Sequence, residues 1–209
     1  MPPLAPTRTR ILEASVDLFG ARGVDAVSLD EIAAVVGVRK QTVLYWFATK
    51  DELVDAVFAD AAAQLGTSIE AAVRAVPDDP LDRIDSIVMA AFRAAVRTPS
   101  LLGLVRELSR LPEARAKRLS NHLQPLVDRA IAYLTVEMEA GRLRRGDPRL
   151  VAVLAAATVS GIATDPEALR AVGWTPDIVA LRHLRDELRA FLRAALSPSS
   201  GKAEPCRSS

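Results

Sequence analysis

One cysteine, Cys206, stands in a chain of 209 residues, so no disulfide can form within it. A reducing compartment suits such a chain, and the cytoplasm is the expected location. Histidine is almost as scarce: His122 and His183 are the two present, and neither lies in a Glu-x-x-His or His-Glu-x-x-His setting. A zinc site or a helical di-metal site therefore lacks ligands, and no metal or cofactor is expected. The glycines are scattered, which leaves no phosphate loop or dinucleotide fingerprint; Gly20-Ala21-Arg22-Gly23 reads as a helix exit. No serine sits in a nucleophile-elbow pattern, so no catalytic residue is assigned. Long apolar runs are also missing. Leu150 to Thr164, the most apolar stretch, is too short for a bilayer and is bounded by Arg149 and Asp165, so it reads as a buried helix and no membrane partner is expected. Met1 to Pro6 offers no basic region ahead of an apolar core, and no export signal is expected there.

What is present is helix. Half the residues are apolar while only 4% are aromatic, and 3.6-residue periodicity runs nearly end to end with no strand-like alternation. The expected fold class is all-α, with about nine helices: near 7–22, a helix-turn-helix at 28–46, a connecting helix at 50–75, then 81–97, 99–110, 113–141, 147–164 and 177–196. Asp165 to Trp174 is expected to make a short helical turn. Pro77-Asp78-Asp79-Pro80 is the best domain joint, because proline disfavours helix in the residue before it and aspartate suits turns and caps. The expected domains are a head at 1–53, a larger helical body at 76–196 and a disordered Ser/Pro/Gly tail at 197–209.

The most informative stretch is 28–53. Ser28 and Glu31 form a capping box, Leu29, Ile32, Ala33 and Val36 share one face, and Gly37 stops the helix in a conformation that favours glycine. On the next helix Val43 and Phe47 repeat at i, i+4, which leaves Arg39, Lys40, Gln41, Thr42, Tyr45 and Trp46 facing outward. Exposed aromatics beside cations and amides suit DNA: cations and hydroxyls hold phosphates, and Gln or Arg pairs with base edges. A second capping box, Thr49 to Glu52, opens the following helix, whose N-terminus with Lys50 makes a phosphate seat. Bulk charge does not announce DNA. Net charge is +1, and residues 1 to 53 hold six cations against seven anions. Placement does: Arg8 and Arg10 sit on an N-terminal arm, and Arg39 and Lys40 at the start of the recognition helix.

Residues 8 to 58 resemble the N-terminal DNA-binding domain of the TetR family of bacterial transcription regulators. Arg10-Ile11-Leu12, Ala14, Leu18-Phe19, Gly23, Ser28, Ile32-Ala33, Gly37-Val38, Thr42, Phe47, Lys50 and Leu53 carry the likeness. There are two departures. Leu44 occupies the family's usual tyrosine position, so Tyr45 and Trp46 are expected to take over that contact. Gln41 replaces a common glycine and adds a side chain able to read an adenine edge. The resemblance implies DNA contacts from Arg8, Ser28, Arg39, Lys40, Gln41, Thr42, Leu44, Tyr45, Trp46 and Lys50. It also implies a repressor that binds a near-palindromic double-stranded operator as a homodimer and leaves it when a small apolar effector enters the C-terminal domain.

For that body the residues themselves say less. Met89, Phe92, His122, Leu126 and Tyr133 are the candidate effector contacts, with His122 and Tyr133 expected on one face of a single 113–141 helix three turns apart. The cation-rich run from Arg106 through Arg118, interleaved with Glu107 and Glu113, reads as a solvated face. The 147–164 helix is apolar nearly all round, so burial on every side is expected. It supplies Leu150, Leu154 and Gly161 to an expected dimer interface, together with Leu181, Leu184 and Leu188 of the last helix. Two other readings share this composition: a helical dimeric sensor or adaptor that never touches DNA, and an all-α enzyme. Tyr45 and Trp46 speak against the first, and the absent catalytic constellations against the second.

Overall fold

The computed structural model describes residues 6–198, apart from 109, 165 and 176 and the side chains of 162–168 and 178. The expected tail beyond Pro198, with Cys206, and the Ile178 side chain lie outside the described residues. Those residues are all-α, in eleven α-helices and one 3-10 turn. The first four are α1 (Thr7–Arg22), α2 (Leu29–Val36), α3 (Lys40–Trp46) and α4 (Lys50–Arg74). Next come α5 (Pro80–Arg97), α6 (Ser100–Leu108), α7 (Glu113–Ser120), the 3-10 turn Asn121–Leu123 and α8 (Gln124–Glu139). The last three are α9 (Pro148–Thr164), α10 (Pro166–Ala171) and α11 (Ile178–Leu196). Local chemistry sets many of these ends. The Asp79 carboxylate accepts from the Leu81 and Asp82 amides, each at 2.9 Å, with Pro80 in the first turn of α5. Asp177 accepts from the Ala180 amide at 2.7 Å and opens α11.

Two helices exceed the expected count. The stretch Asp165 to Trp174 holds α10, and the single helix expected over 113–141 is broken into α7, the 3-10 turn and α8. Pro125, in the first turn of α8, explains the break: it has no amide to donate and its ring excludes a continuous helix through the preceding turn. His122 and Tyr133 consequently sit on different elements, which corrects the expectation of one shared helix face.

The largest apolar cluster fills the head. Ile11, Leu12 and Phe19 of α1 meet Val24, Val27, Ile32, Val36, Val43 and Phe47, along with Leu53, Val54, Val57 and Phe58 of α4. Leu104, Leu111 and Leu119 complete the same cluster from α6 through α7. The crossing of α1 and α6 is so close that a methyl group on Gly103 would overlap the Gly20 carbonyl. A second cluster holds Ile84, Leu134, Met138, Leu143 and Leu196, and a third holds Val88, Leu188 and Leu192. Between α5 and α11, the buried Asp85 carboxylate accepts from Arg189 at 2.9 Å and Arg193 at 2.6 Å, while Asp82 also engages Arg193.

Helix α9 departs from the expected burial. Its inner face packs Val151 and Ala152 on the second cluster and Ala155 and Val159 on the third. Its outer face leaves Leu150, Val153 and Leu154 each more than 60% exposed. Neighbouring helices cover only one side within the chain, and a stripe of this kind remains open. No single described helix is long and apolar enough to cross a membrane.

Candidate nucleic-acid interface

The helix-turn-helix is built from short-range bonds. The Ser28 hydroxyl accepts from the Glu31 amide at 3.2 Å, and the Glu31 carboxylate accepts from the Ser28 amide at 2.7 Å. That amide, then Arg22 at 2.7 Å and the Ser28 hydroxyl, hold the Glu31 carboxyl down from 4.5 to about 2. Gly37, at φ 74°, closes α2 in the left-handed region, and the Val38 amide returns to the Ala33 carbonyl at 2.9 Å. Val43 and Phe47 are buried, so α3 is anchored along one face. On the opposite face Arg39, Lys40 and Gln41 are exposed, as is Tyr45 at 81%, and Trp46 is 43% exposed. Tyr45 and Trp46 meet edge to face with centroids 5.4 Å apart, which presents two rings as one surface. Thr42 and Leu44 are half-buried at the flanks.

The cations are less free than their placement in sequence suggests. Lys40 pairs with Asp30 at 2.7 Å, an exposed contact that a phosphate can displace. The Arg8 guanidinium lies over the Phe47 ring, 5.5 Å from its centroid, and Arg10 donates to the Val36 carbonyl. Arg10 thus ties α1 to the end of α2 instead of standing out as an arm. At the start of α4 the Thr49 hydroxyl accepts from the Glu52 amide at 3.1 Å. The Glu52 carboxylate reaches one residue further than the expected box, to the Ala48 amide at 2.8 Å. Lys50 donates to the Asp25 carbonyl at 3.3 Å.

Residues 11–57 match the family described as bacterial regulatory proteins, tetR family. An uncharacterized helix-turn-helix-type transcriptional regulator of Mycobacterium bovis is 33% identical over 154 residues, which span 72% of this chain and 76% of that protein. The chain belongs to the TetR family of bacterial transcriptional regulators. Among solved structures, this TetR-family chain shares its fold with FadR of Bacillus subtilis in complex with stearoyl-CoA, at a TM-score of 0.76 and 17% identity over 90% of this chain and 98% of that one. It also matches AibR in complex with isovaleryl coenzyme A and operator DNA, at a TM-score of 0.72 and 17% identity over 90% and 98% of the two chains.

In the body of this TetR-family regulator the candidate effector contacts do not form one group. His122 and Leu126 line a cleft of about 270 Å³ between α4 and α8, with Ala62, Gly66, Glu70 and Arg129. The His122 Nε2 atom is enclosed 3.3 Å from an Asp55 carboxylate oxygen on α4. Met89 and Phe92 are half-buried on α5 and do not line this cleft. Tyr133 lies elsewhere, its ring beneath the Arg83 guanidinium and its hydroxyl enclosed without a hydrogen-bond partner. Desolvation, followed by the nearby Glu137 charge, pushes that phenol above its ordinary value.

Among the candidate dimer residues, Leu150, Leu154 and Gly161 are exposed and Leu181 and Leu184 are half-buried. Leu188 is turned inward on Val88 and Leu192, which corrects its assignment to a partner-facing stripe; among the described side chains of α11, Val179 and Phe191 are the exposed large apolar ones. The solvated face expected over 106–118 also needs correction at two positions. Glu107 is buried and accepts from the Val24 amide at 2.9 Å, while Arg115 reaches Asp25 and Asp51 on the head. Interleaved charge concealed both, because their partners lie 83 and 64 or more residues away in sequence.

Proposed function

We propose that the chain is a ligand-responsive repressor that binds a near-palindromic operator as a homodimer and is released by a small apolar effector. The observation that carries this reading is the exposed face of α3: Arg39, Gln41, Tyr45 and Trp46 project from a helix fixed by Val43 and Phe47. Gln41 and Arg39 read base edges, while Lys50, Thr42 and Lys40 hold phosphates. The head is the unit that touches DNA and the body from α5 onward senses and dimerises. Support for the dimer comes from the uncovered apolar stripe of α9, flanked by Val179 and Phe191 of α11. A twofold axis there sets the two α3 helices for major grooves about 34–36 Å apart, or a modest multiple of that.

An effector that favours the non-binding arrangement by about 1–3 kcal/mol is sufficient to release DNA. The cleft between α4 and α8 is the candidate entry, since α4 joins it directly to the head. Small apolar compounds form the first set of effectors to screen, and the larger, anionic acyl-coenzyme A thioesters held by the two solved structures above form a second. The test is a gel-shift titration against DNA from upstream of the protein's own gene, with a scrambled duplex at two salt concentrations. Specific, salt-sensitive binding that a small apolar compound weakens supports the whole reading; weakening by an acyl-coenzyme A alone keeps the ligand-responsive regulator and replaces the apolar effector. Equal affinity for both duplexes removes that DNA as an operator, and binding indifferent to every thioester removes this effector class.

A further inference from the structure

Helices α6 and α7 lie outside the 11–57 stretch that the family pattern matches, yet they grip the head at four places. Leu104, Leu111 and Leu119 enter its core. The Ser100 hydroxyl donates to Asp17 at 2.7 Å, and buried Glu107 accepts the Val24 amide from its seat against Gly23. Arg115 makes the fourth contact. Its guanidinium reaches Asp25 at 3.3 Å and Asp51 at 2.8 Å, while its own Nε is enclosed without a partner. The side chain is only 21% exposed, so packing fixes the fork in place.

We infer that Arg115 is a positioning residue for DNA binding: by occupying the Asp25 and Asp51 carboxylates it keeps Lys50 available for a phosphate. Lys50 precedes Asp51 in the first turn of α4 and donates to the Asp25 backbone carbonyl, a neutral and weak partner. Asp25, which it touches through the carbonyl, and Asp51, which follows it in the chain, both carry carboxylates, and both carboxylates are held by Arg115. Without the fork, two uncompensated anions remain on the residues that adjoin Lys50, within reach of its flexible side chain and set to compete with phosphate for its charge. The effect reaches the interface from α7, through a residue whose own guanidinium is committed to Asp25 and Asp51.

The inference rests on the DNA-binding reading, and fluorescence anisotropy on full-length protein separates the two. The probes are labelled upstream and scrambled duplexes across a range of potassium chloride concentrations. Arg115→Gln is expected to weaken binding by about tenfold and to lower the slope of log affinity against log salt by about one, as loss of one phosphate contact does. Lys50→Ala is expected to do the same alone but to cost less than about twofold in the Arg115→Gln background, since the contact is already gone. Adding Asp25→Asn and Asp51→Asn together to Arg115→Gln is expected to restore slope and affinity, which no loss of folded protein can imitate. An unchanged slope in Arg115→Gln, or multiplicative losses in the double variant, overturns the inference and leaves the DNA reading intact. Wild-type protein without salt-sensitive binding to either duplex overturns both.

Discussion

Gly20 in α1 and Gly103 in α6 cross backbone against backbone, with the Gly20 carbonyl in the space where a Gly103 side chain would begin. Neither glycine needs an unusual φ, since both lie within helices, so the requirement is one of space alone. The crossing joins the head to the body at the point where Leu104 enters the shared core. Because the obstructing atoms are backbone, relief requires α1 and α6 to separate. Gly103→Ala is expected to destabilise the protein by about 3 kcal/mol, at the upper end of overpacking costs, although alanine is the better helix former. Urea denaturation reads the change as a lower midpoint. A midpoint at or above the wild-type value would show that the helices do not cross at this distance.

Glu31 predicts a pH signature. Its carboxyl is held at about 2 against an ordinary 4.5 by the Ser28 amide first and Arg22 next. For an acid whose folded value is depressed, stabilisation is complete above the unfolded value and fades as pH falls through the folded one. Glu31→Gln is therefore expected to lower the urea midpoint most near neutral pH, with the gap from wild type closing between about pH 5 and pH 2. Because the site is open to solvent, the gap should also shrink as salt rises. A gap that stays constant over this range would assign the loss to shape and not to charge.

The parts of this fold legible in the sequence are those set by neighbours a few residues apart. Ser28 with Glu31, Gly37, Asp79 with Pro80, and Asp177 each announced a helix end that the structure contains. Arg10 was legible as a cation but not as the donor that binds the end of α2, because the Val36 carbonyl lies 26 residues away. The same separation hides the Asp85–Arg193 pair, 108 residues apart, and the Glu107–Val24 bond. Pro125 was visible, yet the periodicity of Leu119, Leu126 and Leu134 continues across it and disguises the break. In α9 the apolarity is legible and its division is not: Val151, Ala152, Ala155 and Val159 are covered within the chain, whereas Leu150, Val153 and Leu154 are open.

Gln41 and Lys50 are expected to fail in different ways. Gln41 is exposed on α3 and carries an amide suited to an adenine edge, so Gln41→Ala should reduce the preference for operator over scrambled DNA by about 1–3 kcal/mol. Its salt slope should stay unchanged. Lys50→Ala should weaken both duplexes alike and flatten the slope by about one. Competition titrations with single-base operator variants distinguish these outcomes. If Gln41→Ala keeps full base discrimination while Lys50→Ala loses it, the roles of reader and anchor are reversed.

Helix α9 presents an open apolar stripe. Leu150, Val153 and Leu154 expose 62%, 61% and 65% of their surface, and a carboxylate at one of them disturbs nothing inside the chain because Val151, Ala152, Ala155 and Val159 do the inward packing. Leu154→Glu should therefore leave the folded chain intact, as judged by circular dichroism. In an interface built on this stripe it buries a charge in a dry contact, where an unpaired charge costs several kcal/mol. Light scattering should then show a monomer in place of a dimer. Operator affinity should fall by orders of magnitude while scrambled-DNA binding per head changes little, since one head retains its own phosphate contacts and loses only the partner's. A Leu154→Glu protein that remains dimeric would place the partner surface elsewhere, with Val179 and Phe191 of α11 as the next apolar residues to charge.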